Sequence, residues 1–432
     1  MNATKNRGLI VLFAGLGVNL MLGTLYAWGV ISKALITQYG WTATQTQLPY
    51  MTACAVFAFS MMPGGKLQDR LGPRPIIMAS AILAGIGFIF AGYFLTLLSL
   101  TIGFGIIFGM AMGTGYAAPT PAAIKWFHPS KRGIVSGVVV SGFGLAPVYV
   151  APLTTYLLDN FGISITFYSL GVGFFIGIML LAQLIKNPPE GYCAPVPANY
   201  VSKDAPGKKP VAAKEYHWKE MIKTKQFFML WTMLCFGTFA GLLVIGQLSN
   251  IGLEQAGIQA AFTLTIVYAI FNALGRISWG VIMDKIGGKR SLLFMFMIQV
   301  IFFAAKPFFT TPLTLMISIA AIGFTFGGML TVFPAMTGNY YGMKNFGMNY
   351  GMVITAWGIG GVLGPLLGGI VRDVTGVYTY SYMASAAISF MGAMISLRIT
   401  APDVKHEEHP ADIGQGYTSE AQDEACYLSN NE

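Results

Sequence analysis

The stretch QAAFTLTIVYAIFNALGRISWGVIM, residues 259–283, is apolar over a length that crosses a bilayer as an α-helix. Arg276 is its single charged residue and lies eight positions before Asp284, about 12 Å from that polar end. Such a charge costs at least about 2.5–3.5 kcal/mol on insertion scales, and arginine cannot escape the cost by losing its proton. Because no Asp or Glu lies in the middle of any apolar run, the sequence predicts that the cargo supplies the anion. The alternative is an arginine held by helix-end carbonyls or extended to the interface.

The composition is typical of a polytopic membrane protein, since 55% of the 432 residues are hydrophobic and 10% are charged. We predict an all-α membrane protein with twelve transmembrane helices in two pseudo-symmetric bundles of six. The bundles are expected at 1–186 and 226–399, with a Pro- and Lys-rich cytoplasmic linker at 187–225 and a disordered cytoplasmic tail at 400–432. The predicted helices are the apolar runs at about 8–36, 45–64, 75–95, 99–126, 131–158, 163–186, 226–252, 259–283, 290–310, 312–337, 345–372 and 377–399.

Basic residues lie mostly on one predicted side of the membrane. Of the 26 Lys and Arg residues, Lys33, Lys306 and Arg372 fall on the outer side and Arg276 in the membrane, which leaves 22 in cytoplasmic segments. This distribution predicts cytoplasmic termini in a cell (inner) membrane, so the net charge of +9 indicates orientation in a lipid bilayer and not a nucleic-acid partner. Four scattered cysteines show neither a disulfide framework nor metal-ligand spacing, and the chain carries no nucleotide-binding or catalytic motif. We therefore expect no enzyme activity, no metal and no cofactor.

The two halves of the chain repeat. GGKLQDRLGPR at 64–74 follows the second predicted helix, and GVIMDKIGGKR at 280–290 follows the eighth, with their aspartates 215 residues apart. GFGLAP in the fifth run matches GGVLGP in the eleventh at an offset of 218. These offsets predict a duplicated six-helix unit. Because Arg276 then corresponds to Met61, the predicted site is asymmetric within a symmetric scaffold.

The loop GGKLQDRLGPR resembles the helix 2–3 signature of the major facilitator superfamily, and its second copy resembles the usual degenerate partner. The resemblance implies that superfamily's fold and transport by alternating access. Charge-assisted contacts of Asp69, Arg70 and Arg74, with Asp284 from the second copy, are expected to latch the cytoplasmic face.

Further motifs are GTLYAWGV in helix 1, KWFHPSKRGIVSGVVVSGFGL at helix 5, RISWGVIMDKIG in helix 8 and GNYYGMKNFGMNYGMVITAWGIGG at helix 11. Together they resemble the monocarboxylate transporter family and its bacterial relatives, which include the oxalate/formate exchanger. The resemblance implies symport of a short monocarboxylate, such as L-lactate or pyruvate, with a proton. It also assigns the substrate carboxylate to Arg276.

Two positions depart from the relatives. Trp357 occupies the place of a helix 11 lysine that gives the oxalate exchanger a second cation, so a single carboxylate is favoured over oxalate. Asn272 stands where animal members carry an aspartate that takes part in proton coupling, and an amide cannot carry the proton. The family's proton route is therefore in doubt for this chain.

Other side chains complete the predicted substrate site. Asn272 shares the face of Arg276 at i−4, Tyr116 lies in the loosened helix segment GMGTGYAAPTP, and Tyr26 and Trp28 are candidates to line the cavity. For each of them, ordinary packing between helices is the alternative. Glu254, between helices 7 and 8, is the candidate proton carrier, with a solvated loop charge as its alternative.

Two other functions stay open at this stage. One is an organic-anion exchanger that moves no net proton. The other is a carboxylate sensor that binds its ligand without moving it. For the carrier we expect a protein that functions as a monomer.

Overall fold

The computed structural model describes residues 2–128, 132–189, 192, 194, 215–260, 262–342 and 345–402. Most of the linker and nearly all of the predicted tail therefore fall outside the described residues. Within these ranges the chain forms helices and turns, and the helices group into twelve segments that we number as the membrane crossings. The first bundle has α1 (Asn2–Leu22, Gly23–Ala27 and Trp28–Tyr39), α2 (Ala43–Leu71), α3 (Pro73–Phe94), α4 (Leu97–Leu100, Thr101–Phe108, Gly109–Ala117 and Pro119–Ile124), α5 (Arg132–Leu145 and the part of Pro147–Leu184 before Gly162) and α6 (the part of Pro147–Leu184 after Gly162). The second has α7 (Lys225–Ala256), α8 (Thr263–Ile286), α9 (Gly288–Ala305), α10 (Pro312–Tyr341), α11 (Phe346–Thr375) and α12 (Thr379–Arg398).

Hydropathy alone finds ten spans in the described residues, and two features account for the other crossings. The span Ile134–Leu184 has 51 residues, whereas about 20 suffice for one crossing, and it divides at Gly162, where φ is 77°. Helix α2 begins with Thr and Gln residues and contains two prolines, which makes it less apolar than the other helices. These polar residues are tolerated because α2 packs against the other bundle as well as its own.

The internal repeat is visible in the turns that end α2 and α8. Gly72 and Gly287 are 215 residues apart, the offset read from the sequence, and their φ angles are 83° and 84°. Their ψ angles of 170° and 156° complete a backbone conformation that strains any residue with a Cβ. Both halves therefore make the same helix–turn–helix connection at the same place.

Helices α1–α6 pack mainly among themselves, as do α7–α12. Three helix pairs make most of the contacts between the two bundles: α2 with α11, α5 with α8, and α1 with α7. Small residues let α2 and α11 approach closely, because an added Cβ at Gly358 would lie 2.6 Å from the Ala58 Cβ, and one at Gly361 2.6 Å from the Cys54 Cβ. These seams place one face of each bundle against the other along the central axis.

We call the membrane side where α6 ends and α7 begins the basic side. The other membrane side, where α1 ends and α2 begins, is called the opposite side. On the opposite side, the second bundle caps the start of α2. Asp373 Oδ1 accepts a hydrogen bond from Ala43 N at 2.8 Å, and Asp373 Oδ2 accepts one from Thr44 N at 2.9 Å. Lys33 Nζ also donates to the Gln259 carbonyl at 3.1 Å. These contacts hold the bundles together on the opposite side.

Candidate functional site

A small cavity lies between the two bundles, near the middle of α8. Its volume of about 30 Å³ has room for roughly two waters, so a three-carbon acid enters only after the walls part. Arg276 is the one charged residue among the described residues that line it. The wall consists of Tyr26, Phe57, Met61, Tyr116, Phe143, Arg276, Leu330, Tyr350, Ile354 and Trp357.

Arg276 is 5% exposed, and its guanidinium donates hydrogen bonds to neutral groups. Its Nε donates to Asn272 Oδ1 at 3.1 Å, one turn earlier on α8, and its Nη1 donates to the Val140 carbonyl at 2.9 Å. No carboxylate in the described part of the chain pairs with it. Val140 lies on α5 of the first bundle, so the guanidinium joins the two bundles at the cavity wall. These bonds use two of its five N–H groups, and the Tyr116 hydroxyl is a further hydrogen-bond neighbour of the guanidinium.

Asn272 is fully buried and orients Arg276 through its carbonyl oxygen. Its Nδ2 has no hydrogen-bond partner, which leaves a buried donor next to the guanidinium. An unsatisfied buried donor costs about 1–3 kcal/mol. Asn272 is not part of the cavity wall, so in this structure the amide acts on the site through Arg276, and the Tyr268 hydroxyl is a neighbour of the amide.

Gly144 on α5 provides the space for this pair. A Cβ at Gly144 would lie 2.7 Å from Asn272 Oδ1 and 3.5 Å from Arg276 Cζ and Nε. Such a contact is too short for a carbon and an oxygen, so the hydrogen-bonded geometry depends on glycine at this position.

Tyr116 reaches the cavity from an interruption in α4. The helical piece that contains it ends at Ala117, and Pro119 begins the next piece, where the missing N–H breaks the regular hydrogen-bond pattern. Its ring packs against Phe57 and Phe143 with centroid separations of 5.5 and 5.4 Å. A phenol at this place is a hydrogen-bond donor in the same wall as the guanidinium.

Tyr26, Met61 and Trp357 also meet in the cavity wall. Tyr26 lies in the tight Gly23–Ala27 turn of α1. Met61 on α2 and Arg276 on α8 face the same cavity, as the sequence repeat requires, so one bundle presents a thioether where the other presents a cation. The site is asymmetric for this reason.

Trp28 does not line the cavity, which corrects the expectation for that residue. Its indole Nε1 donates to the Thr46 carbonyl at 2.9 Å, and its ring packs against Phe104 at 4.3 Å. The physical reason is that residues two apart on a helix point in different directions, so Tyr26 and Trp28 cannot share one surface.

Glu254 is engaged on the opposite side. Its carboxylate accepts hydrogen bonds from Arg372 Nε and Nη2 at 2.8 and 3.0 Å. Glu254 lies near the end of α7, whereas Arg276 lies 13 residues into α8, about 20 Å deeper at 1.5 Å per residue. The structure therefore does not bring this acid to the cavity.

The loop residues predicted to latch the basic side stay a prediction. Arg70 is exposed and Arg74 is half-buried, and neither forms an ion pair within the described residues. The side chains of Asp69 and Asp284 lie outside the described part of the chain.

Six wall residues were not among the predicted site residues: Phe57, Met61, Phe143, Leu330, Tyr350 and Ile354. For two of them a signal exists. Tyr350, Ile354 and Trp357 follow the i, i+4, i+7 spacing of one helix face. The prediction of Trp357 therefore extends to the other two.

Comparison with known proteins gives consistent matches over the whole transmembrane region. The family model of the Major Facilitator Superfamily matches residues 9–312 and 248–422. The chain is 30% identical over 346 residues to the uncharacterized MFS-type transporter YhjX of Escherichia coli (strain K12), covering 79% of this chain and 82% of that protein. It is 28% identical over 399 residues to the oxalate:formate antiporter of Oxalobacter formigenes, covering 89% and 90%.

A more distant relative and a solved structure extend the comparison. Monocarboxylate transporter 13 of Rattus norvegicus is 25% identical over 407 residues, covering 90% of this chain and 88% of that one. A crystal structure of a bacterial homolog of the human lysosomal transporter Spinster, inward-facing and unoccupied, superposes with a TM-score of 0.64. It has 16% sequence identity and covers 91% of this chain and 98% of that one, so the likeness is one of fold.

Proposed function

The chain belongs to the major facilitator superfamily, as a transporter of the monocarboxylate and organic-anion type, and we propose that it carries short monocarboxylates such as L-lactate and pyruvate together with a proton. Transport proceeds by alternating access, with the basic side facing the cytoplasm as the positive-inside rule predicts. The membrane is the cell (inner) membrane, and the monomer is the transporting unit.

One observation supports the substrate class above the others: the buried guanidinium of Arg276 faces a cavity between the bundles and pairs with no described carboxylate. A planar carboxylate matches the fork of N–H groups on an arginine. Since Arg276 is the single described cation of the wall and Trp357 adds no charge, a monoanion neutralises the site whereas a dianion leaves a charge unpaired.

Three donors would surround the bound acid. Arg276 holds the carboxylate, and the Tyr116 hydroxyl donates to one of its oxygens. Asn272 lies behind Arg276, outside the cavity wall, and once the walls part its Nδ2 donates to the carboxylate or to the 2-oxygen that lactate and pyruvate share. The aromatic and aliphatic wall receives the methyl end.

The anion favours closure because it binds both bundles more tightly when they are together, and a ligand shifts a population only through such a difference. Arg276, on the second bundle, and Tyr116, on the first, contact one carboxylate only in the closed cavity. The bound complex then opens towards either side.

The proton acceptor we propose is Glu254, on the opposite side. In the closed state it pairs as a carboxylate with Arg372. Arg372 belongs to the same bundle as Glu254, so movement of the bundles does not pull this pair apart. Opening of the opposite side exposes the pair to water, and a proton taken up by Glu254 then breaks it. The proton leaves Glu254 towards the central cavity as the anion moves inward, and its loss restores the pair.

Proteoliposomes test the proposal directly. We expect labelled L-lactate uptake to rise with an inward proton gradient, to fall to background in Arg276→Ala, and to persist in the control Arg398→Ala, which removes an exposed arginine at the end of α12. Uptake that ignores the gradient but requires an internal anion identifies an exchanger, as the printed name of the Oxalobacter relative describes for that protein. Binding without flux identifies a sensor. Uptake that survives Arg276→Ala refutes the assigned site.

A further inference from the structure

Phe57 lies where the aromatic residues of the two bundles meet. It is 4% exposed on α2 of the first bundle, and its ring centroid is 5.0 Å from that of Trp357 on α11 of the second bundle. On its other sides the centroids of Tyr116 and Phe143 lie 5.5 and 5.6 Å away. One ring therefore fills the space between α4, α5 and α11 at the cavity wall.

The rest of the wall leaves little freedom for the end of the cargo that points away from Arg276. The carboxylate is fixed by the guanidinium, so each added carbon extends towards the rings. The closed cavity measures about 30 Å³, and protein interiors of this density do not absorb extra methylene groups without displacement of side chains.

We propose that Phe57 sets the upper size limit of the cargo, and that the limit acts when the bundles close; this inference rests on the proposed function. A small acid lets the Phe57 and Trp357 rings come together over it. A larger acid still binds Arg276 in the open state but holds the two rings apart. It therefore occupies the site without being carried.

Two features distinguish Phe57 from its neighbours in this role. Tyr116 and Phe143 belong to the same bundle as Phe57, so their mutual contacts do not change when the bundles separate. Met61 lies in the wall with a flexible thioether chain that adapts to a ligand. Leu330 and Ile354 also lie there, and neither carries a ring. The Phe57–Trp357 contact has a rigid ring on each side and crosses between the bundles.

The test compares L-lactate with 4-methyl-2-oxopentanoate, a branched six-carbon monocarboxylate, in proteoliposomes. In the wild type we expect the branched acid to inhibit lactate uptake competitively and to be carried poorly. In Phe57→Ala we expect the ratio of kcat/KM for the branched acid to kcat/KM for L-lactate to rise at least tenfold, through kcat more than through KM. The magnitude follows because one methylene group in an apolar pocket discriminates by about 10–200-fold.

The matched control is Phe104→Ala, the same truncation in the same bundle at a ring that packs against Phe88 and Phe108 and does not line the cavity. It should leave the ratio unchanged. If Phe57→Ala does not fold, Phe57→Leu must still raise the ratio. An unchanged ratio in a Phe57 variant that transports lactate overturns the inference, as does efficient transport of the branched acid by the wild type. Wild-type vesicles that carry neither acid refute the proposed function and the inference with it.

Discussion

Replacement of Gly144 by alanine is the sharpest test of the geometry around Arg276. The new methyl group would lie 2.7 Å from Asn272 Oδ1, whereas carbon–oxygen contacts in proteins are about 3.3 Å or longer. The amide oxygen must therefore move by about 0.6 Å or more, and the direction away from α5 lengthens its 3.1 Å bond to Arg276 Nε.

The magnitude follows from the hydrogen bond that is disturbed. A hydrogen bond to a charged group contributes about 1.5–3 kcal/mol, which corresponds to roughly 10- to 150-fold at 1.4 kcal/mol per factor of ten. We expect kcat/KM for L-lactate in proteoliposomes to fall within this range, mainly through a higher KM. The Arg276 side chain is retained, but it is no longer held towards the cavity.

Gly137→Ala is the control, because it lies on the same helix and an added Cβ there meets nothing within 4 Å. It should transport like the wild type. The double variant Gly144→Ala/Asn272→Ser provides the second check: with the longer side chain gone, the alanine should cost no more than Asn272→Ser alone. If Gly144→Ala matches Gly137→Ala, the proposed positioning of Arg276 is refuted.

Three further predictions concern the Asp373 contacts on the opposite side, the number of cations in the cavity wall and the proton carrier. Asp373→Asn cannot accept hydrogen bonds from both N–H groups at the start of α2, so the opposite side should open more often. In a chain without other cysteines, an impermeant maleimide should then label Ser32→Cys about 2- to 30-fold faster. Equal labelling rates would show that Asp373 does not hold the opposite side closed. Trp357→Lys adds a second cation to the wall and should shift the uptake ratio towards oxalate over lactate at least tenfold, while an unchanged ratio contradicts the charge argument. Glu254→Gln should abolish stimulation by the proton gradient but retain lactate counterflow, and gradient-driven uptake at the wild-type rate would exclude Glu254 as the proton carrier.

The helices and the central pair of residues are predictable because their causes are local. An apolar run of sufficient length must form a helix in a bilayer, since its backbone groups have no other partners. Asn272 and Arg276 share a helix face at i and i+4, so their contact follows from spacing alone. The equivalence of Met61 and Arg276 follows from a constant offset between duplicated halves.

The contacts that complete the site join residues far apart in the sequence, and spacing carries no information about them. Val140 lies 136 residues from Arg276, and Glu254 lies 118 residues from Arg372. Which face of α5 meets α8, or which acid meets which arginine, depends on how the two bundles pack. Phe57 was missed for the same reason, because an aromatic residue in an apolar helix gives no sign of whether it faces lipid, a neighbour or the cavity.

The Arg276–Val140 bond bears on the choice between symport and exchange. An obligatory exchanger must not reorient without cargo, which requires a closed empty state of high free energy. In the structure the Arg276 guanidinium donates to the Val140 carbonyl of the first bundle and to the Asn272 amide of the second. The carbonyl places a partial negative charge against the guanidinium, so the protein can close without cargo, while a bound anion still favours the closed state. A carrier that returns empty is what symport needs, and this bond between the bundles therefore favours symport over obligatory exchange.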